Sequence, residues 1–152
     1  MAREYITPID QPAAGTDWSV KLSNSDEVKL LSLTGKLATS AVVATRSPVL
    51  TVTDLNGNVV TVDGELTGQA ASLTITYSWR PGNLQYGVNA GGTVAATSCP
   101  GFWLPAGATI KVTTVALDVA DQWSALVAYY MVKNEYAEEA WELAVQAAVA
   151  NG

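Results

Sequence analysis

Ser72-Leu73-Thr74-Ile75-Thr76-Tyr77-Ser78-Trp79 alternates residue by residue between apolar and hydroxyl-bearing side chains. That period of two is the mark of a half-buried β-strand, with Leu73, Ile75, Tyr77 and Trp79 turned inward and Ser72, Thr74, Thr76 and Ser78 outward. Thr109 to Ala116 repeats the pattern, Ile110, Val112 and Thr114 alternating with Thr109, Lys111 and Thr113, after a turn at Pro105-Ala106-Gly107.

Working outward, the same signal recurs along the chain. Val49 to Thr53 and Val59 to Val62 flank Asp54-Leu55-Asn56-Gly57-Asn58, and Asn-Gly between two β-rich runs predicts a hairpin. Glu27 to Thr39 changes phase: Val28 and Leu30 share one face, Leu31, Leu33 and Leu37 the other. A bulge or bend near Leu30-Leu31 reconciles them. Gly87 to Thr97 reads as a long loop plus a short strand. Asp118-Val119-Ala120-Asp121 turns into a last strand, Trp123 to Val132, apolar in both phases. An antiparallel sandwich strand normally keeps one polar face, so this one calls for cover on both sides, by the arm, the terminal helix or another subunit. Seven or eight short strands with regular turns predict a mainly β fold, an antiparallel sandwich of jelly-roll type over 17–133.

Two extensions flank that body. Residues 1–16 form an arm with Pro8 and Pro12, expected to be extended and irregular, with Tyr5 and Ile6 as anchors. Residues 134–152 read as one acidic α-helix, with Asn134 as N-cap and Glu135, Glu138 and Glu139 in the early turns, where the helix dipole favours anions. Ala137, Ala140, Trp141, Ala144, Val145 and Ala148 lie on one stripe. A lone helix of this length is marginal in water and needs a surface to dock on.

Composition narrows the function classes. The 152 residues are 49% hydrophobic and only 14% charged, with a net charge of −6 from eight Lys and Arg against fourteen Asp and Glu. The last nineteen residues hold four acids and no base, so the body has ten acids against eight scattered bases, a net −2. Without a basic cluster, direct binding of nucleic acid is not expected. The N-terminus is no signal peptide, and the longest apolar run, Leu126 to Val132, is too short to span a bilayer, so a soluble product made in the cytoplasm is expected.

The chemistry-bearing residues are few. There is no histidine and one cysteine, which removes Ser-His and Cys-His pairs and thiolate zinc sites within the chain. Cys99 has no base or cation beside it in sequence and reads as a small buried residue. Asp118 and Asp121 read as turn residues bonding local backbone rather than as a carboxylate pair. Asp54, Asn56 and Asn58 lack the glycine position and closing Glu of a calcium loop and read as a hairpin. Gly87-Val88-Asn89-Ala90-Gly91-Gly92 has no following helix to hold a phosphate and reads as a loop. Of the five tryptophans, Trp79 and Trp123 read as core and Trp141 as helix stripe. Trp18 and Trp103 are left as possible sugar-stacking aromatics.

The run Trp103-Leu104-Pro105-Ala106-Gly107-Ala108-Thr109-Ile110-Lys111-Val112, then Asp121-Gln122-Trp123-Ser124, together with the hairpin Thr53-Asp54-Leu55-Asn56-Gly57-Asn58-Val59, resembles a pattern in small structural proteins of tailed bacteriophages, among them capsid cement (decoration) proteins. The resemblance covers Val28 to Val132 and leaves out the arm and the helix. It implies a β-sandwich virion component, often trimeric, on the outside of the capsid shell, made in the host cytoplasm. It carries no catalytic residues.

The expectation is therefore a non-enzymatic protein with no cofactor and no metal, partnered by the major capsid protein and by its own copies, a trimer favoured. Contacts are expected from Tyr5, Ile6, Tyr130, Val132, Ala137, Trp141 and Val145. A head-fibre, neck or tail component is the alternative within the virion. A carbohydrate- or receptor-binding module using Trp18 and Trp103 is the alternative outside that class.

Overall fold

The computed structural model describes residues 2–64, 68–82, 94–133 and 135–151, with backbone alone for 64 and 135–140. Among the described residues nine strands precede one helix: β1 (Ala2–Pro8), β2 (Ser19–Lys21), β3 (Val28–Ala38), β4 (Ser47–Thr53), β5 (Val59–Gly64), β6 (Thr74–Arg80), β7 (Val94–Ser98), β8 (Thr109–Val115), β9 (Gln122–Lys133) and α1 (Glu135–Asn151). They form a five-stranded sheet ordered β1-β9-β3-β6-β7 and a four-stranded sheet ordered β2-β8-β4-β5.

The antiparallel pairs β1·β9, β2·β8, β3·β6 and β4·β5 nest one inside another, first strand with last and so inward. A long hairpin rolled up on itself gives this order, and with β9·β3 and β8·β4 joining the pairs it is the eight-stranded jelly roll the alternation predicts. β7 is the addition. It joins the edge of the first sheet parallel to β6, the one parallel pair among the described residues.

The core lies between the two sheets. Leu30, Leu33 and Leu37 of β3, Ile75, Tyr77 and Trp79 of β6, and Trp123, Leu126 and Ala128 of β9 meet Leu50 and Val52 of β4 and Ile110 and Val112 of β8. The alternation read in Thr74–Trp79 and Thr109–Thr114 holds residue by residue. The hairpin also forms as read. Gly57 sits at φ +84°, and the Asp54 carboxylate accepts hydrogen bonds from the backbone of Asn56 and Asn58 and from the Asn58 side chain. Donors occupy both oxygens, which is the turn chemistry rather than a cation site.

Two bulges explain the strands that looked out of phase. The register of β3 on β9 slips between Leu30 and Ser32, so Val28, Leu30, Leu33 and Leu37 all reach the core while Leu31 is left half-buried. It slips again where Gly35 faces Ala125 and Leu126, with Ala125 at φ +50°. The second bulge flips the phase of β9. Trp123, Leu126, Ala128 and Tyr130 share the core face, and Val127, Tyr129 and Met131 form a half-buried outer face.

The arm departs from expectation. Ala2–Pro8 is an ordered edge strand, because it can place Tyr5 against Tyr130 with ring centroids 5.7 Å apart. It lies beside β9 in the same sheet and so covers an edge of β9; the second sheet covers the core face, and the arm covers neither face. Only the stretch beyond Pro8 is irregular, and it is tied back by Ile9 N–H to Leu126 O at 2.9 Å and Gly15 N–H to Asp121 O at 2.8 Å.

Gly87-Val88-Asn89-Ala90-Gly91-Gly92 and Asn134 lie outside the described residues, so the loop reading and the N-cap are not addressed. The short strand read within Gly87 to Thr97 is β7.

Candidate interaction surface

One end of the sandwich carries an apolar tip. Val42 and Val43, between β3 and β4, are 55% and 93% exposed, and Val119, in the turn between β8 and β9, is 82% exposed. Short exposed apolar loops are ordinarily mobile, but these are tied to one buried charge pair.

Arg46 and Asp121 are both fully buried side chains. Arg46 Nε donates to Asp121 Oδ2 at 2.8 Å and Nη2 donates to Oδ1 at 3.2 Å, a two-point guanidinium–carboxylate contact. The remaining guanidinium donors reach the first loop: Nη1 to the carbonyls of Val42 (2.8 Å) and Ala44 (2.9 Å), Nη2 to Ser40 Oγ (3.1 Å). Asp121 in turn accepts from the backbone N–H of Ser40 at 2.7 Å and of Asp118 at 2.8 Å. Ser40 Oγ donates to Asp118 Oδ1 at 2.9 Å, so the two loops are stitched to each other as well.

Burial pushes the Asp121 carboxyl up, and the hydrogen bonds from Arg46, Asp118 and Ser40, with the Arg46 charge, more than offset it and leave it below the usual carboxylate range. The arm closes the third side, since a Cβ on Gly15 (φ +73°) would lie 2.7 Å from Val119 Cα. Asp118 and Asp121 are thus turn residues, as read from sequence, and Asp121 is also the buried partner of Arg46, which the sequence reading did not foresee. Arg46 was not singled out there, because nothing local marks one scattered arginine as buried.

The residues expected to make contacts are spread differently. Ile6 is 73% exposed on β1, and Tyr5 is 42% exposed. Tyr130 is a correction: it is 6% exposed, stacked on Tyr5 and within 3.2 Å of Thr7 Oγ1, because the bulge turns it inward. Val132 likewise packs against the core. On α1, Trp141 is 70% and Val145 41% exposed, and no strand lies against the helix among the described residues. The side chain of Ala137 lies outside the described residues.

Trp18 is the second correction. It is 3% exposed and meets Trp79 and Trp123 edge-on at 6.0 and 6.4 Å, so it is core and cannot stack on a sugar. The strand alternation that marked Trp79 and Trp123 as core gives no signal for Trp18, which precedes its strand. Trp103 is half-buried beside Phe102, which is 50% exposed.

Cys99 is buried, and its thiol is pushed up to about 12 by burial and then by the nearby Asp63 charge. Among the described residues no three acidic or cysteine side chains converge as a metal cage requires. No helix among them is long and apolar enough to cross a membrane.

No protein-family profile and no curated protein matches the chain. Among solved structures it is similar to a chain of the infectious bursal disease virus Gt strain, with 11% identity and a TM-score of 0.34 over 86% of this chain and 32% of that one. A chain of the T13 infectious bursal disease virus particle gives 12% identity and 0.33, over 86% and 30%. The Gx strain gives 14% and 0.29, over 86% and 39%. The chain spans about a third of the length of these viral chains, and the likeness is one of mainly β fold.

Proposed function

We propose that the chain is a non-enzymatic structural component of a virus particle, a cement protein that binds the major capsid shell from outside. The observation that carries this reading is the rigid apolar tip. Desolvating an arginine and an aspartate is costly, and the pair returns little net stability over a well-packed apolar core. Here it orders two loops whose valines contribute nothing to the core. Holding Val42, Val43 and Val119 in one arrangement suits a tip that enters an uncharged depression on a partner protein, with the ordering cost met before binding. The tip presents no basic residue, since Arg46 is buried, so it lacks the cationic rim that draws apolar loops to anionic lipid. The jelly roll is a scaffold used by viral capsid domains among others, which agrees with the proposal without deciding it.

The test is co-sedimentation of the purified chain with capsids that lack it. Binding is expected, and Val43→Ser with Val119→Ser should weaken it roughly tenfold or more, since each buried valine contributes about 1.5–3 kcal/mol. A chain that never sediments with capsids sinks the proposal. Density on the neck, tail or a head fibre in electron micrographs would move it to another station of the particle.

A further inference from the structure

We propose that α1 of one copy packs across the outer face of the β1–β9–β3 half-sheet of a second copy of this chain.

The two surfaces match in charge and in apolarity. On the outer face, Ile6 is paired with Tyr129, and Lys29 lies opposite Met131. Lys36 and Arg80 are exposed further across the same face, as the strand alternation places them. Among the described residues Lys29, Lys36 and Arg80 make no ion pair. Glu4 is the acid among them, and it accepts a hydrogen bond from Tyr129 Oη at 2.7 Å. Lys133 and Glu27 at the end of the same face pair with each other at 3.1 Å, and the three bases that remain against one acid make this face positive in a chain of net charge −6. The helix has the opposite composition: four glutamates, no base, and exposed apolar side chains led by Trp141.

The helix cannot serve its own sheet. One residue, 134, separates the end of β9 at Lys133 from the start of α1 at Glu135. Reversing the chain to lay a helix back over the strand it has just left takes a longer connection, usually two to six residues. Within the chain α1 accordingly touches no strand among the described residues. Seventeen residues give a rod of about 25 Å, which fits along a strand of twelve at roughly 3.3 Å each. A reciprocal exchange of helices gives a dimer and a head-to-tail one gives a closed ring.

This contact needs no capsid, so the test uses the purified full chain alone and stands or falls apart from the cement reading. Light scattering across a concentration series should find an oligomer that weakens as salt is raised. Trp141→Ser should weaken it by tenfold or more, as expected of a buried interface tryptophan. Lys29→Glu with Lys36→Glu should dissociate it at low salt. Adding Glu138→Lys, Glu139→Lys and Glu142→Lys to that same chain should restore it, because both partners are then reversed. Lys36, Trp141 and Glu142 are exposed in the single chain and Lys29 is half-buried, and an unchanged near-ultraviolet circular dichroism spectrum checks the fold of every variant. A full chain that stays monomeric overturns the proposal, and so does an oligomer indifferent to the lysine reversal.

Discussion

Arg46 Nε lies 2.8 Å from Asp121 Oδ2 with both side chains fully buried, and this one pair joins three segments distant in sequence. The guanidinium holds the loop before β4, the carboxylate accepts from Ser40 of that loop and from Asp118 of the turn before β9, and the Asp121 carbonyl receives Gly15 of the arm.

Removing one partner strands the other charge in the core. Arg46→Met and Asp121→Asn are each expected to cost about 3–5 kcal/mol in urea unfolding. Arg46→Met combined with Asp121→Asn should cost clearly less than the two single changes summed, the coupling a double-mutant cycle reads.

Acid should act through the same carboxylate. The folded pKa of Asp121 is depressed, so its contribution to stability is complete above the unfolded carboxylate value of about 3.9 and is lost as pH falls from there through the folded pKa. Thermal midpoints should be flat down to about pH 5 and drop steeply below pH 4. In Asp121→Asn that drop should be shallower, and a drop as steep as wild type would remove Asp121 from the account.

Trp18→Ala should destabilise by about 3–5 kcal/mol, the range for a large core aromatic. Trp18→Phe should cost much less, since Trp18 Nε1 has no hydrogen-bond partner among the described residues. Trp103→Ala, at a half-buried surface position, should stay nearer 1 kcal/mol. Calorimetry of the three variants ranks them.

Gly15→Ala combines a positive φ with a close backbone approach to Val119, so it should cost more than about 1 kcal/mol and loosen the tip. Faster amide hydrogen exchange at residues 118–121, with exchange in β3 and β6 unchanged, is the expected pattern.

The Cys99 thiol, at about 12, should be inert to disulfide reagents at pH 8 in the folded chain and react at once in denaturant. Rapid labelling of the native protein would contradict its burial.

What was legible in the sequence was what is encoded locally. Period-two alternation marks Ile75, Tyr77 and Trp79, and Ile110 and Val112, as one-sided strands whatever they later face. Asn56-Gly57 marks a hairpin because its turn needs positive φ. Leu30-Leu31 marks a bulge or bend because a phase change in one strand would otherwise leave one half unburied, and the register shift makes it a bulge. From these the jelly-roll class follows. Tertiary structure decided whatever depends on a distant partner. The arm became β1 because Tyr130 offered Tyr5 a surface. Trp18 became core because Trp79 and Trp123 surround it from two other strands. Tyr130 and Val132 turned inward because the bulge opposite Gly35 reversed the phase of β9, and Arg46 sank because an aspartate seventy-five residues away was there to meet it. Alternation tells which side chains share a face. What that face meets is set by chain segments far away in sequence, and no local pattern carries that information.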